Sequence, residues 1–89
     1  MTTMFVRHTV SNYSVWRKHY DEFNGVQKAK GVKAQSVYQA ADNPGDITVT
    51  HDFPDLETAQ AFAKSDELKT AMRGAGVVGA PTIWFTNKV

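Results

Sequence analysis

Two histidines, His8 and His51, stand where the local pattern asks for apolar side chains, and that position makes them the residues of this chain best suited to chemistry. In Met4-Phe5-Val6-Arg7-His8-Thr9-Val10, alternation puts Met4, Val6, His8 and Val10 on one face of a strand and Phe5, Arg7 and Thr9 on the other. Ile47, Val49, His51 and Phe53 alternate in the same way with Thr48, Thr50 and Asp52. An imidazole titrating near pH ~6.5 can take and return protons at neutral pH, so His51, helped by His8, is the candidate general base. The alternative is a pair of half-buried structural histidines, each satisfied by a carbonyl or by the other's ring.

His19 lies at the edge of an aromatic stripe, a weaker position for chemistry. Three histidines dispersed in this way lack the spacing of a metal site, and there is no cysteine, so no metal is expected. Arg7 shares a strand face with Phe5 and is expected to pair with an acid such as Asp52 across strands. The run Arg73-Gly74-Ala75-Gly76-Val77-Val78-Gly79-Ala80-Pro81 lacks the Lys-Ser/Thr ending of a phosphate loop and reads as a mostly uncharged loop, a mobile lid by its glycines or a place of close backbone packing. No nucleophile elbow, paired carboxylates or Cys/His pattern supports hydrolysis.

The elements that must position these side chains follow from period and punctuation. Met4–Val10 is the first strand. Ser14 reads as the cap of a single helix running from Val15 to about Lys28, in which Trp16, Tyr20, Phe23 and Gln27 recur at helical spacing and Gly31 ends the run. Such a stripe suits a ring-stacking wall or plain core. Val32–Ala41 is a strand without a clear apolar face. Asn43-Pro44-Gly45 is a turn, and Asp46–Phe53 the best bounded strand of the chain. Asp55 caps a helix bearing Leu56, Ala59, Phe62 and Ala63; this breaks at Ser65, which caps a shorter one bearing Leu68, Ala71 and Met72. Thr82-Ile83-Trp84-Phe85-Thr86 is the last strand. Right-handed crossovers turn this order into a ferredoxin-like α+β fold, βαββαβ, with an antiparallel sheet and both helices on one face. The first and third strands are then central neighbours, which would bring His8 and His51 together.

With 89 residues the chain makes one small domain, 1–89, with a thin core. Its 42% hydrophobic and 11% aromatic content exceeds what so small an interior needs, and an identical copy is the simplest cover for the bare sheet face. Phe5, Val37 and one side of the last strand are the candidates there. Tyr38 and Trp84 either reach a pocket or seal such a homodimer. Ten Lys and Arg against nine Asp and Glu, interspersed, give +1 and no pull toward nucleic acid or a membrane surface. No targeting or membrane-spanning stretch is visible, and a cytoplasmic location is expected.

Nearly all of the chain resembles the dimeric α+β-barrel superfamily, and within it the small proteins grouped with antibiotic biosynthesis monooxygenases and often described as cyclase-like. The resemblance rests on Val6-Arg7-His8 leading to Tyr13 and Trp16, on Asn43-Pro44-Gly45-Asp46-Ile47-Thr48-Val49, on Ser65-Asp66-Glu67-Leu68 with Ala71-Met72, and on Ala75 to Pro81. It implies a homodimer with two sheets face to face and a pocket between the sheet and helices of each subunit, lined by His8, Trp16, His19, Tyr20, His51, Phe62, Met72 and the Gly74–Pro81 loop. The Asn, Trp and His that act together in haem-degrading members are not matched, since Asn12 and Asn24 fall in a turn and on a helix flank. Thr82 stands where some relatives carry an acid. The implied activity is cofactor-independent monooxygenation of an aromatic or polyketide-like small molecule. His51 and His8 would act as bases, Trp16 and Tyr20 would hold the ring, and Tyr38 or Trp84 would bond its oxygens. No cofactor is expected. The alternatives are cyclase or isomerase chemistry with the same base, or a non-catalytic small-molecule-binding dimer.

Overall fold

The computed structural model describes all 89 residues, Met1–Val89. Four strands, β1 (Thr2–Val10), β2 (Ala34–Ala40), β3 (Asn43–Phe53) and β4 (Val77–Asn87), form one antiparallel sheet in the order β2-β3-β1-β4. Helices α1 (Tyr13–Glu22), α2 (Asn24–Ala29), α3 (Leu56–Ala63) and α4 (Asp66–Gly74) complete the expected ferredoxin-like arrangement. No helix is long and apolar enough to cross a membrane.

Alternation in the central strands decides which side chains meet the helices. Met4, Val6, His8 and Val10 of β1, with Ile47, Val49, His51 and Phe53 of β3, are all buried on the inner face. They divide along the sheet into two clusters. One joins Met4, Val6 and Phe53 to Ala59, Phe62 and Leu68; the other joins Val10, Ile47 and Val49 to Trp16 and Ala75.

Several local readings change. Asn12, not Ser14, caps α1, its side chain accepting from Val15 N at 3.1 Å, and the helix starts correspondingly earlier. The single helix from Val15 to Lys28 is two, broken at Phe23, where Asn24 and Gly25 are weak helix formers and the Phe23 ring turns in to Phe62, 6.2 Å between centroids. The apolar stripe survives the break, so Trp16, Tyr20, Phe23 and Gln27 still look onto the sheet. Asp55 and Ser65 cap α3 and α4 as expected.

Asn43-Pro44-Gly45 belongs to β3 rather than to a turn, with Ala40 paired to Asn43 and the Asn43 side chain accepting from Gly45 N at 3.0 Å. The run from Gly74 to Pro81 is not a lid. Gly74 ends α4, Val77 and Val78 pair with Val10 and Thr9, and β4 continues through Pro81, which an edge strand tolerates. Gly79, Ala80 and Pro81 stand opposite His8 alone, a bulge that Gly79 accommodates with a φ of 73°.

Candidate functional site

A cavity opens at the seam between the two core clusters, under α1, α2 and α4 and over the middle of β1 and β3. Its lining comprises His8, Trp16, His19, Tyr20, His51 and Met72 from the expected set, together with Val6, Phe23, Gln27, Val49, Leu68, Ala71 and Ala75. About 40 Å³ is free inside it. A cavity of ~150 Å³ is what binds a benzene ring, so an aromatic ligand would enter only if the wall moved. Met72, unbranched and half-buried on α4, is the most adaptable part of that wall.

His8 and His51 share the inner face but are not neighbours. His51 pairs with Met4 and His8 with Ile47, so four residues of strand, ~13 Å, separate them. A run of rings joins the two instead. His8 lies 5.6 Å from Trp16, Trp16 stacks on Tyr20 at 4.9 Å, and Tyr20 lies 6.1 Å from His51, all between centroids. The helical spacing of Trp16 and Tyr20 therefore roofs a cavity with a histidine at each end.

The Tyr20 hydroxyl organises the His51 end. It donates to Gln35 Oε1 at 2.6 Å, which commits its only proton. His51 Nε2, 3.2 Å from the same oxygen, then meets a lone pair and carries the ring proton, leaving the Nδ1 lone pair free. His51 Nδ1 is buried and has no partner in the protein. Burial pushes the His51 pKa down to about 4 against a weak opposing pull from Asp52, so the ring is neutral at pH 7. Burial likewise lowers His8, against Asp46, and raises the Tyr20 phenol to about 12. Phe62 packs its edge on His51 at 5.5 Å and fixes the ring from behind.

His8 has neither ring nitrogen bonded, and Gln27, 1% exposed, has an unpartnered Oε1. These atoms and His51 Nδ1 are the only buried side-chain nitrogens and oxygens without a partner, and all lie on residues lining this one cavity. Each such atom costs ~1–3 kcal/mol if it stays unpaired, so their convergence marks a place where a bound molecule, water or ligand, would supply the missing bonds.

Some expected site residues lie elsewhere. Phe62 is core, 1% exposed, and does not line the cavity. Tyr38 and Trp84 sit in register with Arg7 and Phe5 respectively, on the opposite face of the sheet, so neither can bond a ligand in the cavity. Val37 is the reverse case, packing on the inner cluster rather than covering the outer face. Arg7 pairs with Asp46, not Asp52, through Nε to Oδ1 at 3.0 Å and Nη2 to Oδ2 at 2.6 Å, while Asp52 accepts from Thr3 Oγ1 at 2.6 Å. Gln35 and the polar role of Gln27 went unread in the sequence. The signal was there for Gln27, a lone amide ending an aromatic stripe, but not for Gln35, whose strand shows no face.

No family model matches the chain, and no curated protein does. Solved structures do match. A candidate antibiotic biosynthesis monooxygenase from Bordetella bronchiseptica superposes with a TM-score of 0.85 at 13% identity, covering 99% of this chain and 96% of its own. SnoaB, a cofactor-independent oxygenase of Streptomyces nogalater, gives 0.80 at 8% identity, over 99% and 92%. A Nitrosomonas europaea protein of unknown function gives 0.75 at 18% identity, over 96% and 85%. The chain thus has the ferredoxin-like α+β fold of the antibiotic biosynthesis monooxygenase structures.

Proposed function

We propose that this protein is a cofactor-independent monooxygenase-like enzyme that takes a hydroxylated aromatic or polyketide-like small molecule into the cavity between sheet and helices. The observation that carries the reading is the convergence of every unpartnered buried side-chain polar atom on one ring-lined cavity. The fold shared with SnoaB agrees with it.

In this reading His51 Nδ1 removes the proton of a ligand hydroxyl. Moving a proton from a phenol of pKa ~10 to an imidazole near 4 costs about 8 kcal/mol if nothing compensates. The compensation is the attraction between the new anion and the imidazolium in a dry cavity, where the charges are weakly screened. The anion passes an electron to dioxygen, the two radicals join in a carbon–oxygen bond, and the imidazolium returns its proton to the peroxide. Loss of water leaves a ring carbonyl, with one oxygen atom in the product and the other in water. His8, at the far end, orients the ligand through its free ring N–H or lone pair. A homodimer is the proposed assembly, with a second copy covering the outer sheet face.

The test is oxygen consumption with naphthols and naphthalenediols, comparing the wild type with His51→Gln. The expected loss is ~10²–10⁴-fold with the fold intact, the range for removing a general base. Consumption of ligand without oxygen assigns the same base to cyclase or isomerase chemistry. The small closed cavity favours a second reading, a binding protein; undiminished ligand affinity with no turnover in the wild type would decide for it.

A further inference from the structure

Gln27 is the cavity residue that this chemistry leaves unused. It is 1% exposed, on a short helix among aromatic and aliphatic side chains, with Oε1 unpaired. A glutamine in such a place is held by what it binds, since leucine or methionine would fill the space without a desolvation penalty.

Its carbonyl oxygen Oε1 is buried with no partner, on a residue that lines the cavity together with Tyr20 and His51. The Tyr20 proton goes to Gln35, so the Tyr20 hydroxyl has none to give to that oxygen. His51 Nδ1, in the tautomer fixed by the same hydroxyl, is also an acceptor alone.

Gln27 Oε1 and His51 Nδ1 are two acceptors on the lining of one apolar cavity, beside a His8 ring that offers one N–H and one lone pair, and they call for two donors on what enters it. We propose that Gln27 is a specificity-determining residue: the ligand is an aromatic ring system with two hydroxyl groups, one donating to His51 Nδ1 and the other to Gln27 Oε1. The inference rests on the cavity being a ligand site but not on oxygen chemistry. Rings of the same shape that lack the second donor leave the Gln27 carbonyl dry and unpaired, and the cavity rejects them.

The test is calorimetric binding without oxygen, using the dihydroxynaphthalene isomers, the two naphthols and the monomethyl ethers of the diols. In the wild type at least one diol should bind ~10-fold or more tighter than either naphthol, and its monomethyl ether, which keeps the oxygen but loses a donor, should fall back to the naphthol level. Gln27→Met should bring diol and naphthol within ~3-fold while melting no lower than the wild type. The proposal is overturned if no diol gains over the naphthols, if the ether binds as well as its diol, or if Gln27→Met keeps the gain. Should that variant not fold, the ether series on the wild type decides alone. Failure of turnover with a retained diol preference removes the oxygenase reading only; failure of every compound to bind removes both.

Discussion

The two faces of the same four strands are finished in opposite ways. On the inner face the apolar side chains are packed and the polar ones around the cavity keep unpaired atoms: Phe53, Met4 and Ile47 are fully buried, while His8, Gln27 across the cavity and His51 Nδ1 lack partners. On the outer face the polar side chains are satisfied and the apolar ones are not packed. Arg7 and Asp46 hold each other by two bonds, Thr3 holds Asp52, and Phe5 stacks on Trp84 at 5.2 Å with Trp84 still 39% and Tyr38 57% exposed. What each face lacks defines what it awaits. The inner face lacks hydrogen bonds in a dry space, which the proposed polar-substituted ring would supply; the outer lacks apolar cover, which the proposed second copy would supply.

The comparison breaks most directly at the phenylalanines. Phe62→Ala, removing a ring from the cluster under α3, should destabilise the subunit by ~3–5 kcal/mol. Phe5→Ala, on the outer face, should cost about 1 kcal/mol or less in the isolated subunit. Urea unfolding at high dilution measures both. Equal costs would mean that the outer face carries its own share of the core, and the contrast would be lost. Because Phe62 also backs the His51 ring, its variant should weaken ligand binding as well.

Acid should act through the inner face. His51 ionises near 6.5 when unfolded and at about 4 when folded, so between those values the unfolded chain binds the proton and the folded one does not. Stability is therefore unaffected above pH ~6.5, falls as pH drops through that window, and is lower by on the order of 3 kcal/mol at pH 4. His8, also lowered by burial, adds in the same direction. The carboxylates Asp46, Asp55 and Glu67, lowered by their hydrogen bonds to Arg7, Thr58 and Lys30, lose their contribution only at more acid pH. Denaturant midpoints from pH 8 to 4.5 should slope in the wild type and flatten in His51→Phe. A slope unchanged in that variant would place the titrating group elsewhere.

The two faces were also unequally legible in the sequence. Alternation is a strong signal where one side of a strand is buried, and it placed His8 and His51 on the inner face and Trp16 and Tyr20 above them. It could not give the register between β1 and β3, because sliding one strand by two residues keeps every side chain on its face. That is why the two histidines were brought together when they lie at opposite ends of the cavity. Edge strands read worst. β2 alternates small and polar residues, so the pattern sets Val37 on the outer face, leaves Tyr38 open between the pocket and a dimer seal, and gives Gln35 no visible role. β4 hid its first half behind a glycine and a proline, Gly79 and Pro81, residues that mark loops by propensity but that a bulged edge strand accepts.

The smallest effect on the subunit, and the sharpest on the assembly, belongs to the outer face. Trp84 stacks on Phe5 and pairs in register with it at the middle of that face, so a second copy of the chain would have to bury both rings. Trp84→Asp leaves the inner packing untouched and should change the unfolding free energy of the subunit by about 1 kcal/mol or less. At an apolar interface the same carboxylate would be desolvated without a partner, a cost of several kcal/mol that a contact between two small subunits does not withstand. Sedimentation should therefore show a dimer for the wild type and a folded monomer for Trp84→Asp, with Tyr38→Asp, on the same face and more exposed, behaving alike. Ligand affinity separates the faces once more. If it survives dissociation, each cavity is complete within its own subunit, as its lining from α1, α2, α4, β1 and β3 of a single chain requires; if it is lost, the partner holds the wall closed and the two faces are coupled.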